Sequence, residues 1–321
     1  MKIRRLCLYL TTGCNLRCRH CTIGDRLRNP ATMTFEYAAS AVKYFAEFHA
    51  IDRVVLLGGE PTLVSYFQAL VSKIREWPWI RTVVITNGID CSRLDNIPAD
   101  FLDTVAISFE GISRATHEAI RGKGTFGRAI RTLHRLKDRG FSVEAVFTVT
   151  ALNLHEARES IGFFADNGVY ALNFHVVSET GDCRSHEKLV ISPSQWLRCA
   201  REIREQAELT TMRIRLPQRW APTAEYDRAV RAGHKCLMHD VDRIHLFPDG
   251  RAYNCCLFFD TSFNRFTFEG ELHENKAPTE ASFLVNFPSS SCVAAEVVGI
   301  GVADNYAPLC VHWKEKLGGS V

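Results

Sequence analysis

The chain has 321 residues, 39 of them basic and 36 acidic, for a formal net charge of +3. That small imbalance, with no block of like charge, gives no footing for nucleic acid or an anionic membrane, and no run approaches the roughly 18 consecutive apolar residues of a membrane span. A hydrophobic share of 46% is enough for a substantial core in one large domain or two modest ones.

At the start, Lys2-Ile3-Arg4-Arg5 precedes an apolar stretch, Leu6 to Leu10, that is too short for a signal peptide and runs directly into cysteines. A cytoplasmic protein is therefore expected. Residues 3–10 read as a strand ending at Thr11-Thr12-Gly13, followed by Cys14, Cys18 and Cys21. Thr34 is placed to cap a helix over 34–48, where Phe35, Ala38, Ala39, Val42 and Phe45 recur at helical spacing. The apolar run Arg53-Val54-Val55-Leu56-Leu57 stops at Gly58-Gly59, and a helix follows through Leu70, Val71 and Ile74. Further strands are predicted over 82–86, 104–109, 141–149 and 170–177, with helices over 125–138, 155–167 and 193–208.

Strands that are short and apolar throughout, alternating with helices, indicate a parallel sheet covered by helices. Six such units precede residue 210, too few for a closed barrel of eight. The predicted fold class is therefore α/β, an open partial (β/α)6 barrel over 1–210. Residues 211–235, with Pro217 and Pro222, read as a connector. From 236 to 321 the pattern changes to hairpin-like strands around Pro248-Asp249-Gly250 and loops rich in Ser, Asn and Pro, which marks a second, small domain.

Twelve cysteines are many for a reducing compartment, where metal binding or redox chemistry explains them better than disulfides. Three fall within 14–21 and five between 236 and 310, so two metal sites are expected. Three thiolates do not close a tetrahedral structural zinc site, which takes four. A cubane iron–sulfur cluster held by three cysteines leaves one iron open to a ligand.

The segment Cys14-Asn15-Leu16-Arg17-Cys18-Arg19-His20-Cys21 resembles the Cys-X3-Cys-X2-Cys motif of the radical S-adenosylmethionine (SAM) superfamily, found in the loop after the first strand. The resemblance implies a [4Fe-4S] cluster on Cys14, Cys18 and Cys21, with the amino and carboxylate groups of SAM on its open iron. It also implies reductive cleavage of SAM to methionine and a 5′-deoxyadenosyl radical, with an external electron donor such as flavodoxin or ferredoxin. The residue before the last cysteine, usually aromatic and close to the adenosyl group, is His20 here. Gly58-Gly59-Glu60-Pro61 resembles the family's Gly-Gly-Glu motif, which binds the SAM amino group. Glycines leave backbone exposed beside a ligand, and a carboxylate can accept from an ammonium. Ser108-Phe109-Glu110-Gly111 resembles the family's Ser-hydrophobic-Asp-Gly, with Glu110 replacing Asp. His117, Arg121, Gly122 and Gly124-Thr125-Phe126 continue the resemblance. Ser108 and Arg121 are thus further candidates to contact SAM, a surface ion pair being the alternative for Arg121. Thr86-Asn87-Gly88 reads equally well as a plain turn.

Cys236, Gly250 and Cys255 form Cys-X13-Gly-X4-Cys, resembling the auxiliary-cluster domains called SPASM and twitch. The later cysteine run of SPASM domains is absent, so the resemblance is to a twitch-type α+β domain over 236–321. It implies a second, auxiliary [4Fe-4S] cluster on Cys236, Cys255, Cys292 and Cys310; structural zinc on the same four is the alternative. Cys256, next to Cys255, faces the other way along a strand. Cys7, Cys91, Cys199 and Cys256 are expected to be small buried hydrophobes.

Cys183 lies beyond the sixth strand, at the strand ends where substrates sit in barrel-like folds. A thiol there can return a hydrogen atom to a substrate radical, which resembles the radical SAM epimerases that tailor sugars in aminoglycoside antibiotics such as neomycin and hygromycin B. An inert loop cysteine is the competing reading. Asn173 and His175 share a face of the sixth strand and are candidates to bind substrate hydroxyl groups or shuttle protons, with core hydrogen bonding as the alternative. The expected substrate is a small natural product, a sugar or aminoglycoside foremost. The other outcomes are oxidation of an alcohol, as in twitch-type aminocyclitol dehydrogenases, and modification of a ribosomal peptide. The chain begins at the first strand, which leaves no room for an amino-terminal peptide-recognition domain, although a separate protein can serve that purpose. An iron–sulfur sensor or scaffold would leave the Gly-Gly-Glu and Ser108 motifs without a task.

Overall fold

The computed structural model describes residues 2–217, 220–225, 228, 241–255, 258–259, 261–276, 278–282 and 306–308. Six strands alternate with helices from the start: β1 (Arg5–Thr11), β2 (Arg53–Gly58), β3 (Arg81–Thr86), β4 (Thr104–Phe109), β5 (Val143–Val149) and β6 (Ala171–Val176). The helices are α1 (Phe35–His49), α2 (Phe67–Ile74), α3 (Arg114–Arg121), α4 (Thr125–Asp138), α5 (Ser160–Asp166) and α6 (Pro193–Ala207). Each strand pairs in parallel with the next, as right-handed βα units require. The mixed α/β fold with a parallel core expected from the sequence is the one observed.

Local chemistry sets the helix ends. Thr34 accepts a hydrogen bond from the Tyr37 N–H and starts α1, which buries Ala38, Ala41, Val42, Phe45 and Ala46. Ser192 and Gln195 form a reciprocal capping box at α6, with Pro193 in the first turn. α3 lies where no helix was predicted: it is short and polar, and Ser113 caps it by accepting from Thr116 N–H. No helix among the described residues is long and apolar enough to cross a membrane.

Alternation along the strands separates two faces. Leu6, Leu8, Leu10, Val54, Leu56 and Val84 pack with the helices in the main core. Tyr9 and Leu57 face the other way, into a lumen, where they meet Cys14, Cys21 and Phe247.

The sheet does not stop at the sixth strand. β7 (Arg213–Arg215), in the stretch read as a connector, pairs in parallel with β6. β9 (Arg243–Leu246) lies parallel to β1 on its open side, and β10 (Arg251–Tyr253), β11 (Phe266–Phe268) and β12 (Leu272–Glu274) continue from it antiparallel. The result is one sheet of eleven strands in the order β12-β11-β10-β9-β1-β2-β3-β4-β5-β6-β7. The turn between β9 and β10 is the expected hairpin, with Gly250 at φ +80°. β8 (Trp220–Pro222) and β13 (Tyr306–Pro308) form a separate two-stranded sheet. β2 and β7 are five places apart, about 24 Å on a flat sheet, yet Arg53 on β2 feels the charge of Arg215 on β7. The sheet is rolled.

Candidate functional site

After β1 the chain crosses the carboxyl ends of the strands and presents Cys14, Cys18 and Cys21, each partly buried. Neighbouring elements fasten this loop. The Asn87 side-chain amide, just past β3, donates to Asn15 Oδ1 (2.7 Å) and to Cys14 Sγ (3.6 Å). The Arg19 N–H donates to the Ile120 carbonyl at the end of α3 (3.1 Å), and the Asp182 N–H donates to the Cys21 carbonyl (2.9 Å). Burial pushes all three thiols upward, Cys18 to about 12, and charge on neighbouring thiols pushes Cys14 and Cys18 further. Thiolates in such a place call for a cationic partner.

Gly58 and Gly59 pass directly beneath the loop. The Gly59 N–H donates to the Thr11 carbonyl (2.8 Å) and the Glu60 N–H to the Gly13 carbonyl (2.9 Å). A Cβ on Gly59 would lie 2.2 Å from the Gly13 carbonyl oxygen, so only glycine fits. Glu60 faces inward and is fully buried. Its Oε1 accepts from Thr62 N–H, Thr62 Oγ1 and Thr86 Oγ1 (3.2, 2.7 and 2.8 Å), and its Oε2 from Asn87 N–H (2.8 Å). The carboxylate expected to meet a ligand's ammonium is thus committed to joining the β2 and β3 loops, and caps the short turn Pro61–Leu63.

Glu110 is also completely buried. Arg121 grips it through two nitrogens, Nη2 at 3.0 Å from Oε1 and Nε at Oε2. His20 Nε2 lies 3.3 Å from Oε1. Burial alone would raise the carboxyl, but Arg121 and His20 outweigh it and hold Glu110 well below the usual carboxylate range. Arg121 is therefore no surface pair; it is 8% exposed. Glu110, where the sequence departs from the family's Asp, touches His20, the residue before the last cysteine. The longer Glu side chain reaches the cysteine loop, and a ring nitrogen meets it there. His117 Nδ1 accepts from the Glu110 N–H (3.3 Å).

The lumen wall near the loop carries Ser108 on β4, Thr148 on β5 and His175 on β6, in adjoining register. Ser108 and Thr148 are half-buried and His175 is solvent-exposed within the lumen. Burial among protein atoms nevertheless lowers the His175 pKa. Asn173 is differently placed. Its amide donates to Glu144 Oε2 (2.7 Å) and its Oδ1 accepts from Arg215 (2.8 Å), in a network that includes Tyr170 and Thr104. Asn173 is half-buried, and its amide group is bonded to protein side chains.

Cys183 sits in a short turn, Gly181–Ser185, that packs on the cysteine loop. Its side chain points away from the lumen's open end into an apolar group with Ile120, Val177 and Leu189 and is 0% exposed. Gly181 forces this arrangement: at φ +58° it presses against the Cys21 carbonyl. Burial pushes the thiol up to about 11. Cys7, Cys91 and Cys199 are buried, as expected for small hydrophobes.

Of the second cysteine group, Cys236, Cys256, Cys292 and Cys310 lie outside the described residues. Cys255 follows β10 and packs with Tyr9, Phe247, Tyr253 and Phe258, the apolar group that also receives Cys14 and Cys21. The buried Glu280 carboxylate accepts from the Asn254 and Cys255 N–H groups (2.6 and 3.0 Å).

Residues 8–166 match the family profile described as the radical SAM superfamily. The chain belongs to that superfamily. Among curated proteins it is similar to the pre-heme d1 synthase of Dinoroseobacter shibae, at 32% identity over 50% of this chain and 40% of that protein. It is similar to the GTP 3′,8-cyclase of Synechococcus elongatus, at 30% identity over 56% of this chain and 57% of that protein. The mycofactocin maturase MftC of Mycolicibacterium smegmatis is 29% identical over 50% of this chain and 41% of that protein. The chain therefore spans roughly half the length of these relatives. Its fold is shared with SuiB of Streptococcus suis (TM-score 0.63, 16% identity, 81% of this chain and 62% of that one). The same holds for anSMEcpe with bound AdoMet (TM-score 0.62, 20% identity, 83% and 77%).

Membership of the radical SAM superfamily implies SAM and one [4Fe-4S] cluster. The donor set suits a cluster better than a single ion. Three cysteine thiols are one short of a closed tetrahedral single-ion site, whereas a cluster would take each thiolate on a different iron and leave its remaining iron open. The Leu16 N–H and Asn87 amide directed at Cys14 Sγ (3.4 and 3.6 Å) are N–H···S bonds of the kind that tune such clusters. Asn87 and Thr148 were not singled out as site residues in the sequence, and the contact of His20 and Arg121 with Glu110 was not expected there. Asn87 lay in a motif that a turn explained, and lone Thr residues carry no signal.

Proposed function

We propose that this chain cleaves SAM reductively, with Cys14, Cys18 and Cys21 as the ligands of the [4Fe-4S] cluster, and uses the radical to take a hydrogen atom from a substrate in the lumen. The observation that carries this reading is the loop of three partly buried thiols laid over Gly58 and Gly59 at the strand ends. When bound, cluster and SAM supply a 5′-deoxyadenosyl radical. The chain's own residues do the rest. Gly59 lets the loop lie close to β2, Asn87 orients Cys14, and the Glu110–Arg121 pair fixes His20 beside the adenosyl position. Ser108, Thr148 and His175 offer hydroxyl and imidazole groups with no hydrogen bond to the protein among the described residues. The electron comes from an external donor such as flavodoxin or ferredoxin.

Anaerobic reconstitution with iron and sulfide, followed by dithionite, tests this. The iron-loaded protein should convert SAM to 5′-deoxyadenosine, and Cys18→Ala should not. Iron-replete protein that leaves SAM intact would overturn it.

For the fate of the substrate radical three readings stand side by side, and the packing of Cys183 bears on one of them. Epimerisation needs that thiol to reach the substrate from its apolar group, whereas oxidation and peptide modification need no thiol donor. Relatives named as maturation proteins, MftC and SkfB of Bacillus subtilis, lend the peptide alternative equal weight. An auxiliary cluster on Cys236, Cys255, Cys292 and Cys310 fits an oxidative outcome, and Cys255 in contact with the group around Cys14 and Cys21 supports it.

A further inference from the structure

The end of the barrel opposite the cysteine loop gathers arginines. Register aligns Arg243 on β9 with Arg5 on β1, Arg5 with Arg53 on β2, and Arg53 with Arg81 on β3. In-register residues of parallel strands point to one face, so four guanidiniums stand in a row at the strands' amino-terminal ends. The face is the lumen side, since Tyr9 and Leu57, four residues further along β1 and β2, pack with Cys14 and Cys21. About 20 Å of strand separates Arg5 from Thr11, where the cysteine loop begins.

Acidic partners cover only part of this charge. Asp242 pairs with Arg243 (2.8 Å), and Asp52 is taken by Arg4. The Arg5 and Arg53 side chains are half-buried, and among the described residues neither makes an ion pair or a side-chain hydrogen bond; Arg53 Nε is buried with no hydrogen-bond partner among them. Burial and the neighbouring guanidiniums lower both arginines from their usual range. Two residues above Arg243, His245 stands beside Cys7, 9% exposed, with both ring nitrogens buried and unbonded. Arginine forks match the oxygens of phosphate and carboxylate two at a time, and an unpaired imidazole N–H adds a neutral donor.

We propose that Arg5, Arg53 and Arg81, with Arg243 and His245, form a binding site for a phosphate group, free or carried by a small molecule, at the barrel end away from the cysteine loop. This site is separate from the residues that serve SAM. An arginine kept for structure stabilises the fold through its partners. Arginines kept for a ligand repel one another until the anion arrives, and the fold carries that cost.

Calorimetric titration of the reconstituted full chain at low salt decides the matter, with inorganic phosphate in one arm and glycerol 2-phosphate in the other. One saturable site that weakens as sodium chloride is added is expected. Binding in both arms assigns a phosphorylated small molecule, and binding of inorganic phosphate alone assigns the free ion. Arg5→Gln and Arg53→Gln should each weaken binding roughly tenfold or more, while Arg201→Gln on the exposed side of α6 leaves it unchanged. Without phosphate, Arg53→Gln should melt at the same temperature as the parent or higher, and SAM cleavage should persist. Absence of saturable binding, equal weakening by Arg201→Gln, or a lowered melting temperature with binding intact would overturn the proposal.

Discussion

His117 shows how much a single buried side chain can couple the site to pH. Its ring is fully buried, and its Nδ1 lone pair accepts the Glu110 N–H, so the proton of the neutral ring sits on Nε2. Burial lowers its pKa to about 4, against 6.5 for a free histidine. Between those values the unfolded chain takes up a proton that the folded one refuses, so stability falls as pH drops from 6.5 to about 4 and then levels off. A pKa drop of that size corresponds to a few kcal/mol, on the order of 3. Denaturant melts over that range should show the decline, and His117→Gln should flatten it; an unchanged slope would remove His117 as the cause. Legibility differed by residue at this scale. Cys14, Cys18 and Cys21 could be read from spacing, because three ligands of one cluster must lie in one loop. The contact of His20 with Glu110 could not, since 90 residues separate them and their two motifs carry no record of each other. Cys183 was visible as a cysteine near the strand ends, but the direction of its thiol depends on how Gly181 folds against Cys21, which no spacing records.

Elements were legible where their period was long enough to count. α1 and α6 carry caps and an apolar stripe, and both lie where predicted, within a residue or so. β7 has three residues, too few to show any alternation, and so vanished into a connector. Two glycines make the difference between functional and incidental backbone testable. Gly162 on α5 has nothing within 4 Å of an added Cβ, and glycine inside a helix is weaker than alanine by roughly 0.5–1 kcal/mol. Gly162→Ala should therefore raise stability by about that amount. Gly59→Ala puts a carbon 2.2 Å from the Gly13 carbonyl oxygen, which is backbone and cannot swing aside. It should cost about 1–3 kcal/mol and reduce the iron the cysteine loop retains. Thermal melts and iron counting on the two variants check this, and a Gly59→Ala protein with full iron content would mean the loop has slack that the contacts do not show.

The whole molecule departs most from what a sequence can disclose. Consecutive βα units are local, and their order across β1 to β6 follows from chain connectivity. The pairing of β9 with β1 joins residues about 240 positions apart, and nothing in either segment encodes the register Cys7–His245 or Leu8–Leu246. Its consequence is that β1 is an interior strand. In the barrel of residues 1–210 read alone, β1 would be an edge carrying Leu6, Cys7, Leu8, Tyr9 and Leu10 with one row of backbone groups unpaired. Such an edge, long, apolar and without lysine or proline, invites pairing with another chain. Ile244, Leu246 and Phe247 are 0–1% exposed and lose their places in the two apolar groups when β9 is removed. A chain cut after residue 216 should therefore self-associate and lose its cooperative melt, even though every βα unit and the Cys14 loop remain. Size-exclusion chromatography and circular dichroism on the truncated protein measure this. A monomer with a sharp transition would show that the first 216 residues are a self-sufficient barrel and that β9 only decorates it. Association would show that the barrel wall is completed by the far end of the chain, the same strand that brings Arg243 into the arginine row and leads into the hairpin that carries Cys255.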